Sequence, residues 1–203
     1  MNQPKVLEVF SDYVCPWCYL GTARIERLKK EHGVQVKLVH FPLHPDTPQE
    51  GRTLEALFEG RGYDIPKMQA EMRARMQAEG LAYGDRKMTF NSRLAQELAA
   101  WAVSQPGGEA IHDALFRAYF VDGRNIGDAE VLLGISRQLK LDETQAREVL
   151  EKRTHKAAVD ADWEKSRQYG VTGVPTFVIG NRGLVGAQPY DALEALVSQR
   201  PLP

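Results

Sequence analysis

Two cysteines are the only thiols of this 203-residue chain, and they lie three positions apart as Cys15-Pro16-Trp17-Cys18. A disulfide between Cys15 and Cys18 closes a loop too small to remove much chain entropy, so such a bond contributes little to stability. In a reducing compartment a pair at this spacing is typically redox-active or metal-binding rather than structural. The motif is therefore the first candidate site for chemistry.

The position of the motif before a predicted helix assigns different roles to the two thiols. If Cys15 is the N-cap and Pro16 occupies the first turn, the sulfur of Cys15 can accept hydrogen bonds from unpaired amides at the positive end of the helix dipole. Both effects favour the thiolate, which makes Cys15 the predicted nucleophile. Cys18, one turn further along and less exposed, is the predicted resolving thiol. Trp17 is expected to be partly exposed and to contact substrate, with simple packing as the alternative.

Two other functions of the motif are a metal site and a pair of inert cysteines. A zinc site would need further ligands, and the sequence contains no second cysteine pair. His40 and His44 resemble a ligand pair, but on an extended strand they would lie about 13 Å apart. The sequence therefore favours redox chemistry and predicts no metal.

Val174-Pro175 is the second candidate feature, because it opens a predicted strand and follows two glycines, Gly170 and Gly173. A cis peptide here would turn the backbone groups of Val174 towards a neighbouring site, where an extended substrate could pair. The alternative is an ordinary trans proline at the start of a strand. The residues themselves leave both isomers open.

Glu8 is the third candidate, because it interrupts an apolar strand seven residues before Cys15. A buried carboxyl at this position would suit proton transfer with Cys18. The alternative is a surface carboxylate that reaches water or pairs with a lysine. The sequence leaves these two interpretations equally open.

The elements that would position these residues form two α/β segments around a helical centre. Residues 5–10 predict a strand, residues 16–33 a helix and residues 34–43 a second strand parallel to the first. Residues 176–179 and 184–185 predict two short strands before a final helix. Between them the apolar spacing and the capping residues, among them Asp128 and Asp142, predict helices throughout, and the last of these runs, with or without a bend, to Gly170. We therefore expect one domain from residues 1–50 and 170–203, and an inserted α-helical domain at 51–169.

Composition excludes several classes of protein. The chain is 43% hydrophobic with a formal net charge of -1, so nothing favours binding to nucleic acid or to an anionic membrane. No apolar stretch approaches the roughly 20 residues of a membrane-spanning helix. We therefore expect a cytoplasmic protein.

The motifs together resemble the DsbA-like branch of the thioredoxin fold, and within it the FrnE-type subgroup. The resemblance covers nearly the whole chain and is carried by the segments at residues 11–21, 91–95, 118–126, 170–177 and 186–189. It implies a thioredoxin fold with a large α-helical insertion and a protein disulfide oxidoreductase or isomerase acting on protein or small-thiol disulfides. It also implies Cys15 as nucleophile, Cys18 as resolving thiol and a cis Pro175 against the disulfide. Beside these, we expect Pro16, Trp17, Val174 and Pro175 to contact substrate. Through a one-residue shift, it places Glu8 near an acid found beneath the active site of some relatives.

The resemblance implies no external cofactor, and glutathione enters as a candidate co-substrate. A related branch, the glutathione-dependent isomerases and transferases of the hydroxychromene-carboxylate isomerase type, is the alternative enzyme, although its members generally carry serine where Cys15 stands. A non-catalytic redox-sensing or interaction module is the alternative outside enzymes. The direction of exchange, the substrate and the oligomeric state are left open by the sequence.

Overall fold

The computed structural model describes residues 6–201, and the chain divides into two compact units. The first unit holds the described residues up to Leu43 and those from Asp162 onward. Its strands are β1 (Val6–Ser11), β2 (Gln35–His40), β5 (Thr176–Ile179) and β6 (Arg182–Val185), and its complete helices are α1 (Pro16–His32) and α9 (Tyr190–Val197). Lys5, the first residue of the predicted strand, lies outside the described residues.

The second unit, His44–Ala161, is mainly helical. It contains the short strands β3 (Arg52–Thr53) and β4 (Met88–Thr89) and the helices α2 (Leu54–Leu57), α3 (Ile65–Ala78), α4 (Arg93–Ala102), α5 (Ile111–Phe120), α6 (Ala129–Gln138) and α7 (Glu143–Lys152). Helix α8 (Lys156–Gln168) begins in the second unit and ends in the first.

The first unit is built on a four-stranded sheet in the order β2-β1-β5-β6. Strands β1 and β2 are parallel along their whole length, from Val6 opposite Gln35 to Ser11 opposite His40. Strand β5 runs antiparallel to both β1 and β6. The predicted parallel β-α-β arrangement and the α/β fold with a helical insertion are therefore confirmed.

One face of this sheet is covered by α1 and α9. Leu7 and Val9 of β1 and Phe177 of β5 are buried in one apolar cluster with Leu28 of α1 and Leu193 of α9. Because side chains alternate along a strand, Glu8 and Phe10 lie on the opposite face of β1. The two faces of β1 thus have different surroundings, which matters for Glu8.

Helix α1 carries the cysteine motif at its first turn, and its two ends follow the expected chemistry. Pro16 occupies the first turn, where its missing N–H costs nothing. The helix ends at Gly33, whose φ of 59° lies in the left-handed region that glycine adopts freely. Its last turn carries the basic residues Lys29, Lys30 and His32, which complement the negative end of the helix dipole.

In the second unit the helix starts carry the side-chain caps that the sequence predicts at two positions. Asp128 accepts from the backbone N–H groups of Glu130 and Val131 at the start of α6, and Asp142 accepts from Gln145 at the start of α7. The last helix before Gly170, predicted with or without a bend, is divided into α7 and α8. Arg153 adopts a left-handed φ of 54° at the break.

A buried ion-pair cluster joins α4 to the break between α7 and α8. The Glu97 side chain is completely buried and accepts from Arg93 Nε at 2.6 Å and from Arg153 Nε and Nη2 at 2.6 and 2.7 Å. Burial raises the pKa of Glu97, but the hydrogen bonds and charges of the two arginines outweigh it, so the pKa is lowered from its ordinary value. The left-handed Arg153 is thereby attached to the helical core.

The division between the units lies earlier in the chain than the sequence placed it, at 43/44 and 161/162 rather than at 50/51 and 169/170. At the second division, the last turns of α8 are attached to the strands of the first unit. Asp162 binds His40 and Lys165 binds Glu8. No helix between residues 6 and 201 is long and apolar enough to cross a membrane.

Candidate functional site

Cys15 lies at the start of α1, shortly after β1 ends, and Cys18 lies in the first turn of α1. Cys15 is the N-cap residue, with an extended φ of -90° and ψ of 113°, and its N–H donates to Asp12 O at 3.1 Å. The carbonyl of Cys15 in turn accepts from Cys18 N at 3.1 Å and from Tyr19 N at 3.2 Å. The backbone therefore has the arrangement expected from the motif, with one cysteine at the helix start and the other in its first turn.

The hydrogen bonding of the Cys15 thiol differs from the sequence-based expectation. Both cysteines are free thiols. Among the described residues the Cys15 side chain makes no cap hydrogen bond to α1; its Sγ donates instead to the carbonyl oxygen of Val174 at 3.5 Å. The sulfur acts here as a donor, because the Val174 carbonyl accepts its S–H. A cap bond would instead require the sulfur to accept a hydrogen bond from a backbone N–H of α1.

The expected difference in exposure between the two thiols is also absent. Cys15 and Cys18 are each 3% exposed. Between them, Pro16 is half-buried and Trp17 is 40% exposed. The accessible surface of the motif therefore belongs to the indole and the proline, and the sulfurs lie beneath it.

The chemical difference between the thiols lies in ionisation. Burial raises the pKa of the Cys18 thiol well above its ordinary value, and the hydrogen bond to Cys15 and the charge of Cys15 raise it further. Hydrogen bonds from the Ser11 side chain and the Asp12 backbone act in the opposite direction without offsetting the rise. Cys18 is thus a protonated thiol at neutral pH. A charge on Cys15 is one cause of this rise, and a Cys15 that is part of a disulfide carries none, so that cause is removed when Cys18 has to ionise.

Val174 and Pro175 lie against the motif. The Val174–Pro175 peptide bond is cis, Pro175 is buried and Val174 is half-buried. The Pro175 carbonyl accepts from Gly186 N at 2.7 Å, which fixes the segment just before β5. With the thiol bond from Cys15 to Val174 O, the structure brings these two predicted residues together with the cysteine motif.

Glu8 does not join this group. Its side chain lies on the face of β1 opposite Leu7 and Val9, whereas α1 packs on the face that carries those two residues. Glu8 Oε1 lies 2.5 Å from Lys165 Nζ and 4.0 Å from Lys37 Nζ. Of the two interpretations that the sequence left open, this geometry favours the carboxylate paired with a lysine.

A Glu8→Gln variant is therefore expected to lose about 1 kcal/mol of stability, because a partly exposed ion pair contributes about that much. Its thiol-exchange rates are expected to stay within about twofold of wild type, since a tenfold change needs ~1.4 kcal/mol at the reacting atoms. Urea unfolding and stopped-flow exchange measure the two effects. Glu26→Gln, which removes an exposed ion pair with Lys29, is the matched control. Slow disulfide release in Glu8→Gln alone would restore the proton-transfer role.

A buried polar cluster at the end of β2 was not identified from the sequence as part of this region. His40 Nδ1 lies 2.7 Å from Asp162 Oδ2, which also accepts the His40 backbone N–H at 3.1 Å. The ring of Tyr13 lies 6.0 Å from the imidazole, and burial, followed by the charges of Asp12 and Asp162, raises the pKa of Tyr13 well above its ordinary value. Because His40 pairs with Ser11 in the sheet, this cluster supports the segment that leads to Cys15.

Asp12 anchors the same segment, and one of its two contacts could have been predicted from the sequence. Its two carboxylate oxygens accept from Val14 N at 3.2 Å and from Leu43 N at 3.0 Å. Aspartate commonly bonds the backbone two residues ahead, so the Val14 contact follows from local sequence. The Leu43 contact spans 31 residues and has no local signature. Asp12 thus connects the start of the motif to the segment after β2.

The described residues offer no metal site at the motif. Between residues 6 and 201 no three histidine, cysteine or acidic side chains are grouped as metal ligands. His40 is engaged by Asp162. His44 belongs to the second unit, where its positive neighbours are arginines. Redox chemistry needs only the two sulfurs and a thiol or disulfide partner.

Comparison with known proteins gives one family. The family model described as a DSBA-like thioredoxin domain matches residues 6–198. The uncharacterized protein YwbO of Bacillus subtilis (strain 168) is 27% identical over 197 residues, which are 95% of this chain and 95% of that protein.

Solved structures give the same fold. The probable DsbA oxidoreductase SCO1869 from Streptomyces coelicolor is 31% identical with a TM-score of 0.87, covering 98% of this chain and 92% of that one. The cytosolic disulfide reductase DsbM from Pseudomonas aeruginosa, solved with GSH, is 22% identical with a TM-score of 0.66, covering 96% of this chain and 98% of that one. The latter likeness concerns the fold alone.

Proposed function

The chain belongs to the DSBA-like thioredoxin domain family of thiol-disulfide oxidoreductases, and from this membership we propose that Cys15 and Cys18 are its redox-active pair. The observation that carries the proposal is the arrangement of the two thiols: Cys15 begins α1 against the Val174 carbonyl, and Cys18 lies one turn behind it as a protonated thiol. This arrangement provides one sulfur to attack and a second to resolve.

The exchange proceeds in two displacements. The Cys15 thiolate attacks one sulfur of a substrate disulfide, forms a Cys15–substrate disulfide and releases the other sulfur as a thiolate. Cys18 then loses its proton to solvent or to the released thiolate and attacks Cys15 Sγ, which expels the second substrate sulfur. The substrate disulfide gains two electrons and the enzyme holds a Cys15–Cys18 disulfide. Two molecules of a small thiol such as glutathione restore the dithiol and become one disulfide. The same steps in reverse oxidise a substrate dithiol.

The surroundings of the sulfurs favour small or extended substrates. Only 3% of Cys15 is exposed, so a disulfide has to reach the sulfur past Trp17, which is 40% exposed, and the half-buried Val174. The backbone of an extended peptide or of glutathione can approach such a site more closely than the surface of a folded protein. We therefore propose peptide and small-thiol disulfides as substrates. We propose a cytoplasmic location with glutathione as the reductant; a protein of the same fold is described as a cytosolic disulfide reductase and was solved with GSH.

The redox equilibrium of the protein against mixtures of reduced and oxidised glutathione tests the proposal. We expect one two-electron transition between dithiol and disulfide, and its potential sets the direction of exchange, because thioredoxin-like pairs span about -120 to -270 mV. Insulin reduction and the refolding of a scrambled protein, measured beside it, distinguish a reductase from an isomerase. The proposal would be contradicted if Cys15 and Cys18 formed no disulfide at any ratio of reduced to oxidised glutathione.

The raised pKa of Cys18 predicts the order of alkylation. With iodoacetamide at pH 7 we expect one modification, at Cys15, because each unit of raised pKa lowers the thiolate fraction about tenfold. Cys18 should react only at alkaline pH or after unfolding. Peptide mass spectrometry across a pH series measures both thiols in the same molecule. Equal labelling of the native thiols at pH 7 would contradict the assigned roles, and the unfolded chain is the control.

A further inference from the structure

Arg86 in the helical unit is a buried cation that has no acidic partner among the residues the structure describes. Its residue is 8% exposed, and its Nε and Nη1 atoms are buried without a hydrogen-bond partner among residues 6–201. Within the same range Arg86 forms no ion pair, unlike Arg93 and Arg153, which both bind Glu97. A buried guanidinium is costly unless it is paired, so Arg86 needs an explanation.

The protein holds this side chain in place from several directions. The guanidinium carbon lies 5.5 Å from the ring centroids of both Tyr119 and Phe120, which is within the range of cation–π attraction. The backbone carbonyl of Arg86 accepts a hydrogen bond from the Gln69 side chain. The ring contacts hold the guanidinium, and its Nε and Nη1 groups are left without an acceptor in the described part of the chain.

The neighbourhood of Arg86 is also positively charged. Burial lowers the pKa of His44, and the charges of Arg86, Arg61 and Arg52 lower it further. Arg52 donates to the Asp46 backbone carbonyl at 3.0 Å, a contact that does not neutralise its charge. The repulsion among these groups is relieved most directly by a negative charge placed among them.

The turn that begins at His44 holds a second buried donor with no partner among the described residues. Thr47 is 4% exposed, and its Oγ1 has no hydrogen-bond partner within the described part of the chain. Its backbone N–H donates to His44 O at 3.1 Å, which fixes Thr47 in the same turn. Thr47 therefore places a second buried polar atom in the turn that also carries His44.

We propose that Arg86 anchors an anion-binding site in the helical unit, which takes the carboxylate or phosphate group of a small molecule. The planar fork of a guanidinium matches the two oxygens of such a group, and charge-assisted hydrogen bonds of this kind are among the strongest in proteins. Arg52 and Arg61 add electrostatic attraction, and Arg86 supplies the direct donors. This site is separate from the thiol chemistry and does not depend on it.

Binding of inorganic phosphate and of succinate to the full-length protein tests the site. At pH 7 and constant ionic strength, set with sodium chloride, we expect each oxyanion to raise the melting temperature saturably, and calorimetry to give the two affinities. The tighter of the two identifies the class of ligand. Histidine NMR signals locate the site, because binding should shift the imidazole resonances of His44. If neither phosphate nor succinate raises the melting temperature more than sodium chloride does at the same ionic strength, the proposal is overturned.

Arg86→Gln should weaken oxyanion binding at least about tenfold, the effect of losing a charged hydrogen-bond donor. In chloride alone it should melt no lower than wild type, because it removes an unpaired buried charge. Arg147→Gln, which removes an exposed arginine that binds Glu130, is the matched control and should bind like wild type. Wild-type affinity in Arg86→Gln would contradict the proposal.

If Arg86→Gln does not fold, oxyanion binding to the double variant Arg52→Gln/Arg61→Gln tests the proposal instead. Arg61 is exposed and Arg52 half-buried, so this variant should fold and still bind several-fold more weakly. Unchanged affinity there would overturn the site. Glutathione-dependent exchange measured on the same samples reports on the cysteines alone, so the failure of one proposal is distinguishable from the failure of the other.

Discussion

A Cys15→Ser variant is expected to lose thiol-disulfide exchange down to the background rate of the assay. The reaction needs an ionised sulfur at the start of α1, and a serine hydroxyl at the same place stays protonated at neutral pH and does not form disulfides. The thiol contact with the Val174 carbonyl can be made by a hydroxyl, so the fold should change little. Insulin reduction with glutathione and single-turnover reaction with oxidised glutathione measure the loss.

The matching Cys18→Ser variant should carry out the first displacement and stop there. Its Cys15 should accumulate as a disulfide with the substrate thiol, visible as a mass increase that dithiothreitol removes. Circular dichroism and urea unfolding of both variants check that the fold is kept. Full activity of Cys15→Ser, or normal turnover without a trapped adduct in Cys18→Ser, would contradict the assigned roles. Exchange in Cys15→Ser that needs glutathione but no cysteine would instead favour the glutathione-dependent isomerase chemistry.

Features set by neighbouring residues could be predicted from the sequence. Pro16 at the first helical turn and Gly33 at the helix end follow from local backbone preferences, so the position of the motif on α1 was predictable. The caps at Asp128 and Asp142 are local in the same sense. The strand–helix–strand order likewise predicted the parallel pairing of β1 with β2.

Contacts between distant segments were not predictable in the same way. The Cys15 thiol meets the Val174 carbonyl across 159 residues, and no local pattern shows which group faces the sulfur. Glu8 shows the effect of a single position. The resemblance needed a one-residue shift to place Glu8 beneath the active site, and one residue along a strand moves a side chain to the other face. The two-residue strands β3 and β4 are too short to give a periodic signal.

Charged residues inside helices were equally ambiguous. A glutamate and an arginine four residues apart typically form a pair on the surface of a helix, yet Glu97, which binds Arg93, is completely buried. Its second partner, Arg153, comes from a helix break whose position the sequence did not indicate, since arginine seldom adopts a left-handed φ. The carboxylate that binds it stabilises the break, so the stability of the helical unit depends on Glu97.

A Glu97→Gln variant should therefore be strongly destabilised, by about 3 kcal/mol at pH 7. Removing one partner of a buried ion pair costs about 3 to 5 kcal/mol. The lower value applies because Arg93 Nη2 also binds Asp160 Oδ1 at 2.7 Å, and because the Arg153 side chain is 39% exposed and can reach water. Glu148→Gln, which removes an exposed pair with Lys152, is the matched control and should change stability by less than about 1 kcal/mol. Urea unfolding measures all three proteins.

The dependence on pH separates the charge of Glu97 from its packing. Because the pKa of Glu97 is lowered in the folded protein, its contribution is fully present above the ordinary carboxyl pKa of about 4.3 and is lost as the pH falls through the lowered value. The difference in unfolding free energy between wild type and Glu97→Gln should therefore be constant from pH 7 to about pH 5 and shrink in stronger acid. If the difference stayed the same down to pH 3, the glutamine side chain of the variant would destabilise the protein through its packing. Arg93 and Arg153 would then not need the negative charge of Glu97.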